Sequence, residues 1–291
     1  MLGIVILNYI NWEDTSKCIK SIYETTKNLD YRIYLVDNDS PNPPPDEIIK
    51  LLKNKNITYI KNKKNKGYSS GNNIGIKKAI EDGCDAILIS NNDVIFLEDS
   101  IYKMLEYLNS NSDVGIIGPK IYNLDGSVHV PSMCIRTGLK EKYLVRTVLR
   151  KLFRSLSKKY YCQDKNTNKP LTVHAVSGCC FMMSRKCALD ITPFDENTFL
   201  YEEELIIGIQ MERKGYKTVY YPNSSIIHAH GQSTKNVKAF SFICFVESEI
   251  YYCKKYLNAN IIQILPLYII RTVSYVIKTF KYKDFRKNII K

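Results

Sequence analysis

Along the first hundred residues, short apolar runs alternate with stretches of helical period. This is the pattern of a parallel α/β sheet, whose strands are buried on both faces and joined by crossover helices. Residues 3–7 read as a strand, 15–26 as a helix with Cys18, Ile19, Ile22 and Tyr23 at helical spacing, and 32–36 as a second strand. Pro41 and Pro43 to Pro45 stiffen the loop before a short helix over about 46–53. Residues 57–60 form a third strand, a helix runs from the Asn65-Lys66-Gly67-Tyr68 turn to about Glu81, and 86–90 form a fourth strand. In such sheets the loops at the carboxyl ends of the strands converge on one crevice. Asp37, the Gly67 loop and Asp93 all fall there.

Beyond Gly118-Pro119-Lys120 the pattern loosens. Residues 139–156 read as one helix, with Tyr143, Leu144, Val148, Leu149, Leu152, Phe153 and Leu156 apolar and Arg146, Arg150, Lys151 and Arg154 between them. Residues 173–184 alternate like strand, 202–214 have helical period, and 218–221 and 225–228 read as two short strands. From about Ala239 the chain is helical and aromatic, then basic. Its most apolar stretch, 261–277, is too short to span a bilayer and carries Gln263, Pro266 and Arg271, so no spanning segment is expected.

Charge divides the chain. The formal net charge is +13. Residues 136–169 carry +9 and residues 254–291 carry +8, which leaves the remainder at −4. Two basic segments on a mildly acidic body suit surface contact with something anionic, not a nucleic-acid groove. Nine cysteines lack a Cys-x-x-Cys spacing and a preceding secretory signal, so reduced thiols are expected.

Taken singly, the candidate chemical residues are modest signals. Asn91 and Asp93 would share one side of an extended segment and face a divalent ion, although Asn-x-Asp triplets are more often turns. Asp37 could accept hydrogen bonds from a uracil or thymine ring or a ribose, or close an Asx-turn. Gly67, Gly71 and Gly75 suit either close helix packing or backbone approach to a nucleotide. Glu202, Glu203 and Glu204 repel one another, which tends to raise at least one pKa and suits a general base; acidic residues also favour a helix N-terminus. His228 and His230 share a face of an extended segment, as metal ligands or as structural residues.

In order, the chain carries Ile6-Leu7-Asn8-Tyr9, Val36-Asp37-Asn38-Asp39-Ser40, Asn65-x-Gly67-Tyr68 with Gly71-Asn72-Asn73-Ile74-Gly75, Asn91-Asn92-Asp93 and Gly118-Pro119-Lys120. Ser177-Gly178-Cys179-Cys180-Phe181, Phe194-Asp195-Glu196, Phe199-Leu200-Tyr201-Glu202-Glu203-Glu204 and His228-x-x-Gly231-x-Ser233 complete the series. Over about residues 1–235 this resembles family 2 glycosyltransferases, especially the rhamnosyltransferase-like members that build bacterial polysaccharides. The resemblance implies a GT-A fold, a mostly parallel Rossmann-like sheet flanked by helices, with a basic helical insertion at about 136–170 and a helical basic tail over 236–291.

It also implies an inverting, single-displacement transfer from a UDP- or dTDP-linked sugar to a hydroxyl of a glycan or lipid-linked acceptor. Donor-binding residues would include Asn8, Asp37, Asn38, Gly67, Tyr68, Asn72, Asn73 and Asn92. Mn²⁺ or Mg²⁺ would sit on Asp93 with Asn91 and His228 nearby. Glu204 matches the family's catalytic aspartate, with Glu203 beside it; the substitution of Glu for Asp leaves open which takes the proton. A processive synthase is not expected, because Gln210-x-x-Arg213 lies on the same helix as the glutamates and is followed by Lys214. The basic segments point to a peripheral position on an anionic membrane surface, at its cytoplasmic face. The rival readings are a catalytically inactive GT-A-like scaffold, a nucleotidyltransferase and a nucleic-acid-binding protein. Residues 1–20 offer only Gly3 toward a nucleotidyltransferase phosphate loop, and no nucleic-acid module is recognisable.

Overall fold

The structure, a computed structural model, describes residues 1–130, 133–229 and 238–287. Its strands are β1 (Leu2–Asn8), β2 (Tyr31–Asp37), β3 (Ile57–Lys61), β4 (Ala86–Asn91), β5 (Val94–Phe96), β6 (Val114–Tyr122), β7 (Met133–Cys134), β8 (Leu171–Val173), β9 (Ala175–Val176), β10 (Cys180–Ser184) and β11 (Lys217–His228). The main sheet runs β3-β2-β1-β4-β10-β6-β11-β5, with β8 added to β11, and β7 and β9 form a separate pair. The first four strands of that order are parallel, and β6 and β11 are parallel to each other. Between these two groups β10 runs antiparallel to both β4 and β6.

The helices are α1 (Trp12–Thr25), α2 (Asp46–Leu51), α3 (Tyr68–Glu81), α4 (Ser100–Ser110), α5 (Leu139–Leu144), α6 (Arg154–Tyr160), α7 (Arg185–Ile191), α8 (Glu203–Lys214), α9 (Lys238–Tyr256), α10 (Ile261–Lys281) and α11 (Lys283–Lys287). Alternate residues of the central strands feed two cores. Leu2, Ile4, Ile6, Ile33, Leu35 and Leu88 pack with Ile19, Ile22 and Met104 of α1 and α4. Val5, Tyr34, Val36, Ile87 and Ile89 pack with residues of α3, α7 and α8 on the other face. This is the mixed α/β GT-A architecture that the resemblance implies.

Three local expectations need correction. Residues 139–156 are not one helix. Leu139–Leu144 and Arg154–Tyr160 are α-helical, with a 3₁₀ turn at Val148–Lys151 between them. The apolar residues meant for a buried face, Val148, Leu152 and Phe153, are exposed, whereas Lys142 is fully buried. Residues 218–221 and 225–228 belong to one strand, β11, whose register against β6 shifts between Tyr221 and Ser225. The tail helix runs on to Lys281 with Pro266 inside it, and is long and apolar enough to cross a membrane by length and composition.

That helix is nonetheless tied to the body. Its Arg271 is buried and donates from Nε and Nη2 to the two carboxylate oxygens of Glu249 on α9, at 2.7 and 3.0 Å. Ile264 and Leu267 of α10 join Tyr252 and Cys253 of α9, Val145 and Tyr160 of the insertion, and Leu205, Ile206 and Ile209 of α8 in a third core. The insertion and the tail, which the charge pattern set apart as two appendages, thus pack together against the helix that carries the glutamates.

Candidate active site

Register brings the polar strand ends together. Asn8 pairs with Asp37, and Leu7 with Asn91, so β1, β2 and β4 deliver their terminal residues to one edge of the sheet. Asp37 is buried and accepts from Ser40 N at 3.1 Å and from Tyr59 Oη at 3.1 Å. Asn8 donates to Ser40 Oγ, and its Oδ1 accepts from Thr15 Oγ1 and Asn92 Nδ2 at 2.8 and 3.1 Å. Asn38 donates to Asn65 Oδ1 and to Gly67 O, at 3.0 and 3.2 Å, clamping the loop that leads into α3.

That loop needs glycine. Gly67 has φ +97°, and a Cβ there would lie 2.1 Å from Phe199 O. Tyr68 N donates to the same carbonyl at 2.9 Å, which ties the start of α3 to the Phe199-Leu200-Tyr201 segment. Gly71 and Gly75 serve close packing instead, since added Cβ atoms would meet Leu7 and Val5 of β1 at 2.5 and 2.4 Å. Asn72 and Asn73 do not reach the cleft. Asn72 donates back to Tyr68 O. Asn73 clamps the 194–196 turn, donating to Phe194 O and Glu196 Oε1 and accepting from Phe194 N.

Asn92 and Asp93 form the turn between β4 and β5, so the expected extended segment at 91–93 is absent. All three residues still line one cleft of about 690 Å³, together with Asn38, Gly67, Tyr68, Tyr201, His228 and Phe240. Phe240 comes from α9 and packs edge-on against Phe199 at 5.4 Å, a contribution of the tail that no motif signalled. Asp93 Oδ1 and His228 Nε2 are 3.0 Å apart. Burial disfavours a charged imidazole, but the bonds to Asp93 and Cys179 outweigh it and raise the His228 pKa to about 10. His230, Gly231 and Ser233 lie outside the described residues.

Among the described residues, no three His, Cys, Asp or Glu side chains converge as a ready-made metal cage. The carboxylate oxygen and imidazole nitrogen at Asp93 and His228 still fit a divalent ion that takes its remaining ligands from a diphosphate and water, as Mg²⁺ commonly does. A proton on His228 would have to leave for that nitrogen to ligate.

The three glutamates have separate environments. Tyr201 and Glu202 both have left-handed backbones, φ 76° and 70°, a conformation costly for residues with a Cβ. This double twist turns the chain into α8. The Glu202 carboxylate faces inward and bonds Lys142 Nζ, and it accepts from Arg146 Nη2 at 2.9 Å. Burial pushes its pKa up, but Arg146 and Lys142 more than offset that and hold it below the usual value. Glu203 is also buried, and its Oε1 has no hydrogen-bond partner among the described residues. Burial first, and then the neighbouring Glu204, drive its pKa well above the ordinary carboxylate value. Glu204 Oε1 accepts from Gly178 N at 3.0 Å, while Gly178 O accepts from Tyr68 Oη at 2.6 Å.

Gly178 therefore links Glu204 to the cleft that Tyr68 lines. On the other side, Glu203 and Glu204 line a second cavity of about 590 Å³. Tyr201 lines both cavities. One side chain thus stands between the sheet-edge cleft and a space lined by Glu202, Glu203 and Glu204, the first of them already bound to Lys142 and Arg146.

Residues 3–191 match the description "Glycosyl transferase family 2", and the chain belongs to that family. Among characterised relatives it is similar to the N-acetylglucosaminyl-diphospho-decaprenol L-rhamnosyltransferase of Mycobacterium tuberculosis, at 26% identity over 69% of this chain and 67% of the relative. It is 28% identical to the low-salt glycan biosynthesis hexosyltransferase Agl10 of Haloferax volcanii, over 70% of this chain and 59% of the relative. Its fold is similar to the crystal structure of GalNAc-T7 with UDP, GalNAc and Mn²⁺, with TM-score 0.60 and 15% identity. That match covers 79% of this chain but 44% of the longer GalNAc-T7 chain.

Proposed function

We propose that the protein is an inverting glycosyltransferase that moves one sugar from a UDP- or dTDP-linked donor to a hydroxyl of a glycan or lipid-linked acceptor in cell-surface polysaccharide synthesis. The observation that carries this reading is the pair of cavities divided at Tyr201, with Asn38 and the Asn91–Asp93 turn at the first, Asp37 buried beside Asn38 at the end of β2, and Glu203 and Glu204 at the second. The names of the rhamnosyltransferase and hexosyltransferase relatives support sugar transfer, and the first supports a lipid-linked acceptor.

In this reading Asp37, Asn38, Gly67 and Tyr68 hold the nucleoside end of the donor, and Asn8 and Asn92 stiffen that wall from within. Mn²⁺ or Mg²⁺ would be held by Asp93, with Asn91 and His228 nearby, and would offset the negative charge of the leaving diphosphate. The acceptor hydroxyl approaches C1 from the second cavity, and Glu204 takes its proton. Glu204 is favoured over Glu203 because its link through Gly178 to Tyr68 fixes one of its oxygens relative to the donor cleft. Glu203, buried and held toward its protonated form, keeps a second negative charge from forming beside it. Residues 1–235 carry this chemistry, and 236–291 carry contact with an anionic membrane surface at its cytoplasmic face.

Titration of UDP and dTDP into the full chain, with and without Mn²⁺, tests the donor half. Metal-dependent binding of one nucleotide, lost in Asp93→Ala, is the expected result; no binding under any condition favours the inactive scaffold. For the acceptor half, Glu204→Gln should lower turnover by about 10²–10⁴-fold with nucleotide affinity unchanged. Comparable loss in Glu203→Gln alone would move the base by one residue.

A further inference from the structure

The second cavity has more positive charge than its own carboxylates answer. Arg146 and Arg271 reach it, but both are bound to buried glutamates, Glu202 and Glu249. Three further cations line the same space: Arg150 and Lys151 on the 3₁₀ turn, and Lys278 on α10. None of these makes an ion pair among the described residues. Lys278 lies over the ring of Phe242 at 4.1 Å and that of Phe285 at 5.5 Å, aromatic faces in place of a carboxylate.

Two elements distant in sequence thus bring like charges to one cavity, an arrangement that attracts an anion to it. A neutral sugar does not require those charges, because uncharged donors and acceptors can satisfy its hydroxyls. A phosphate would use them, since it takes several charge-assisted hydrogen bonds from Arg and Lys.

We propose that the second cavity binds a phosphate or diphosphate group carried by the acceptor, held by Arg150, Lys151 and Lys278 while the acceptor's hydroxyl faces Glu203 and Glu204. This rests on the reading of that cavity as the acceptor site. The same cations could meet a phosphate joined to a lipid or one on a soluble sugar; the common requirement is a phosphate ester dianion or a diphosphate. Lys278 shares α10 with Ile269, Val273, Ile277 and Phe280, all exposed, so an anion held there sits beside an apolar surface.

The test is calorimetric titration of inorganic pyrophosphate into the full chain with UDP held at saturation, so that the donor cleft is filled. Wild type is compared with Arg150→Gln/Lys151→Gln/Lys278→Gln. The expected result is binding to wild type and at least tenfold weaker binding to the triple variant, with UDP affinity equal in the two. Should Lys278→Gln disturb the aromatic cluster, Arg150→Gln/Lys151→Gln changes only exposed side chains and should by itself weaken binding severalfold. A parallel arm uses farnesyl diphosphate in phosphatidylcholine vesicles. Tighter binding than pyrophosphate assigns the anion to a lipid carrier, and equal binding assigns it to a soluble acceptor. Vesicles of phosphatidylcholine with phosphatidic acid form the last arm; if they alone lose affinity in the variant, the cations serve the membrane surface and the proposal is overturned. It is overturned equally if pyrophosphate binds wild type and variant alike, or fails to bind once UDP is present. If UDP itself does not bind wild type while pyrophosphate binding still depends on the three cations, the donor reading falls and this inference stands.

Discussion

The carboxylate of Glu202, on a residue with left-handed backbone immediately before the candidate catalytic glutamates, is bonded to the ammonium of Lys142, and both side chains are fully buried. Lys142 also lies 3.7 Å from Glu249, which in turn holds Arg271 of α10. The insertion and both long tail helices are thereby joined to the turn that aims Glu203 and Glu204. Removing one partner of a buried ion pair costs about 3–5 kcal/mol, because the remaining charge is left unanswered. Lys142→Met should lose less than that in urea denaturation, because Arg146 still meets Glu202 at 2.9 Å. Adding Glu202→Gln to it should restore part of the loss; additive losses would mean that the two residues are not coupled.

Gly67 is the point where α3 meets the segment that precedes the glutamates. Its positive φ and the 2.1 Å approach of a Cβ to Phe199 O allow no side chain without moving one of the two segments. Gly67→Ala is expected to lower the thermal midpoint by several degrees and to weaken UDP binding at least tenfold. Retained UDP affinity would show that the loop is a packing feature alone.

Glu203 sets a pH dependence with a defined sign. Its pKa in the folded protein is raised well above 4.5, so folding favours the protonated carboxyl. Stability contributed by that preference is fully present below about pH 4.5 and is lost as pH rises toward the folded value. Glu203→Gln has no proton to lose. Its thermal midpoint relative to wild type should therefore climb steadily from pH 4.5 to pH 8. A difference independent of pH would place Glu203 in a more hydrated setting than this structure gives it.

The outer side of α10 exposes Ile261, Ile262, Leu265, Ile269, Val273 and Phe280. Burying one such side chain gains about 1.5–3 kcal/mol, and nearby basic residues add to this on anionic lipid. Ile262→Asp/Phe280→Asp should weaken sedimentation with phosphatidylglycerol vesicles at least a hundredfold while leaving UDP binding in place. Unchanged sedimentation would remove α10 as the contact.

Pattern and order made much of this legible from the chain. Of the four parallel strands of the first ninety residues, β1, β2 and β4 announce themselves because each carries an apolar run that is largely buried, while the edge strand β3 is shorter and only partly buried. The polar residues that end them, Asn8, Asp37 and Asn91, are legible for the same reason, since register then forces them to one edge. The helix reading of 139–156 misled because helical spacing cannot distinguish an apolar face that packs from one left in water. Val148 and Leu152 are exposed there, while Lys142 goes inside. Nothing local to Lys142 signals its burial; the reason lies 60 residues away, in Glu202.

The sequence by itself determined the family, the sheet and the polar clusters at its edge, because these follow from local periodicity and from motifs in fixed order. Tertiary structure alone decided which of those polar residues face a cavity and which are spent inside. Asn72 and Asn73 are turned to backbone and loop partners, whereas Phe240 of the tail reaches the donor cleft. It also decided that three adjacent glutamates differ: one is held by buried cations, one is buried without a partner on Oε1, and one is fixed by Gly178. Burial and long-range charge pairing set those differences, and neither is a property of neighbouring residues in the chain.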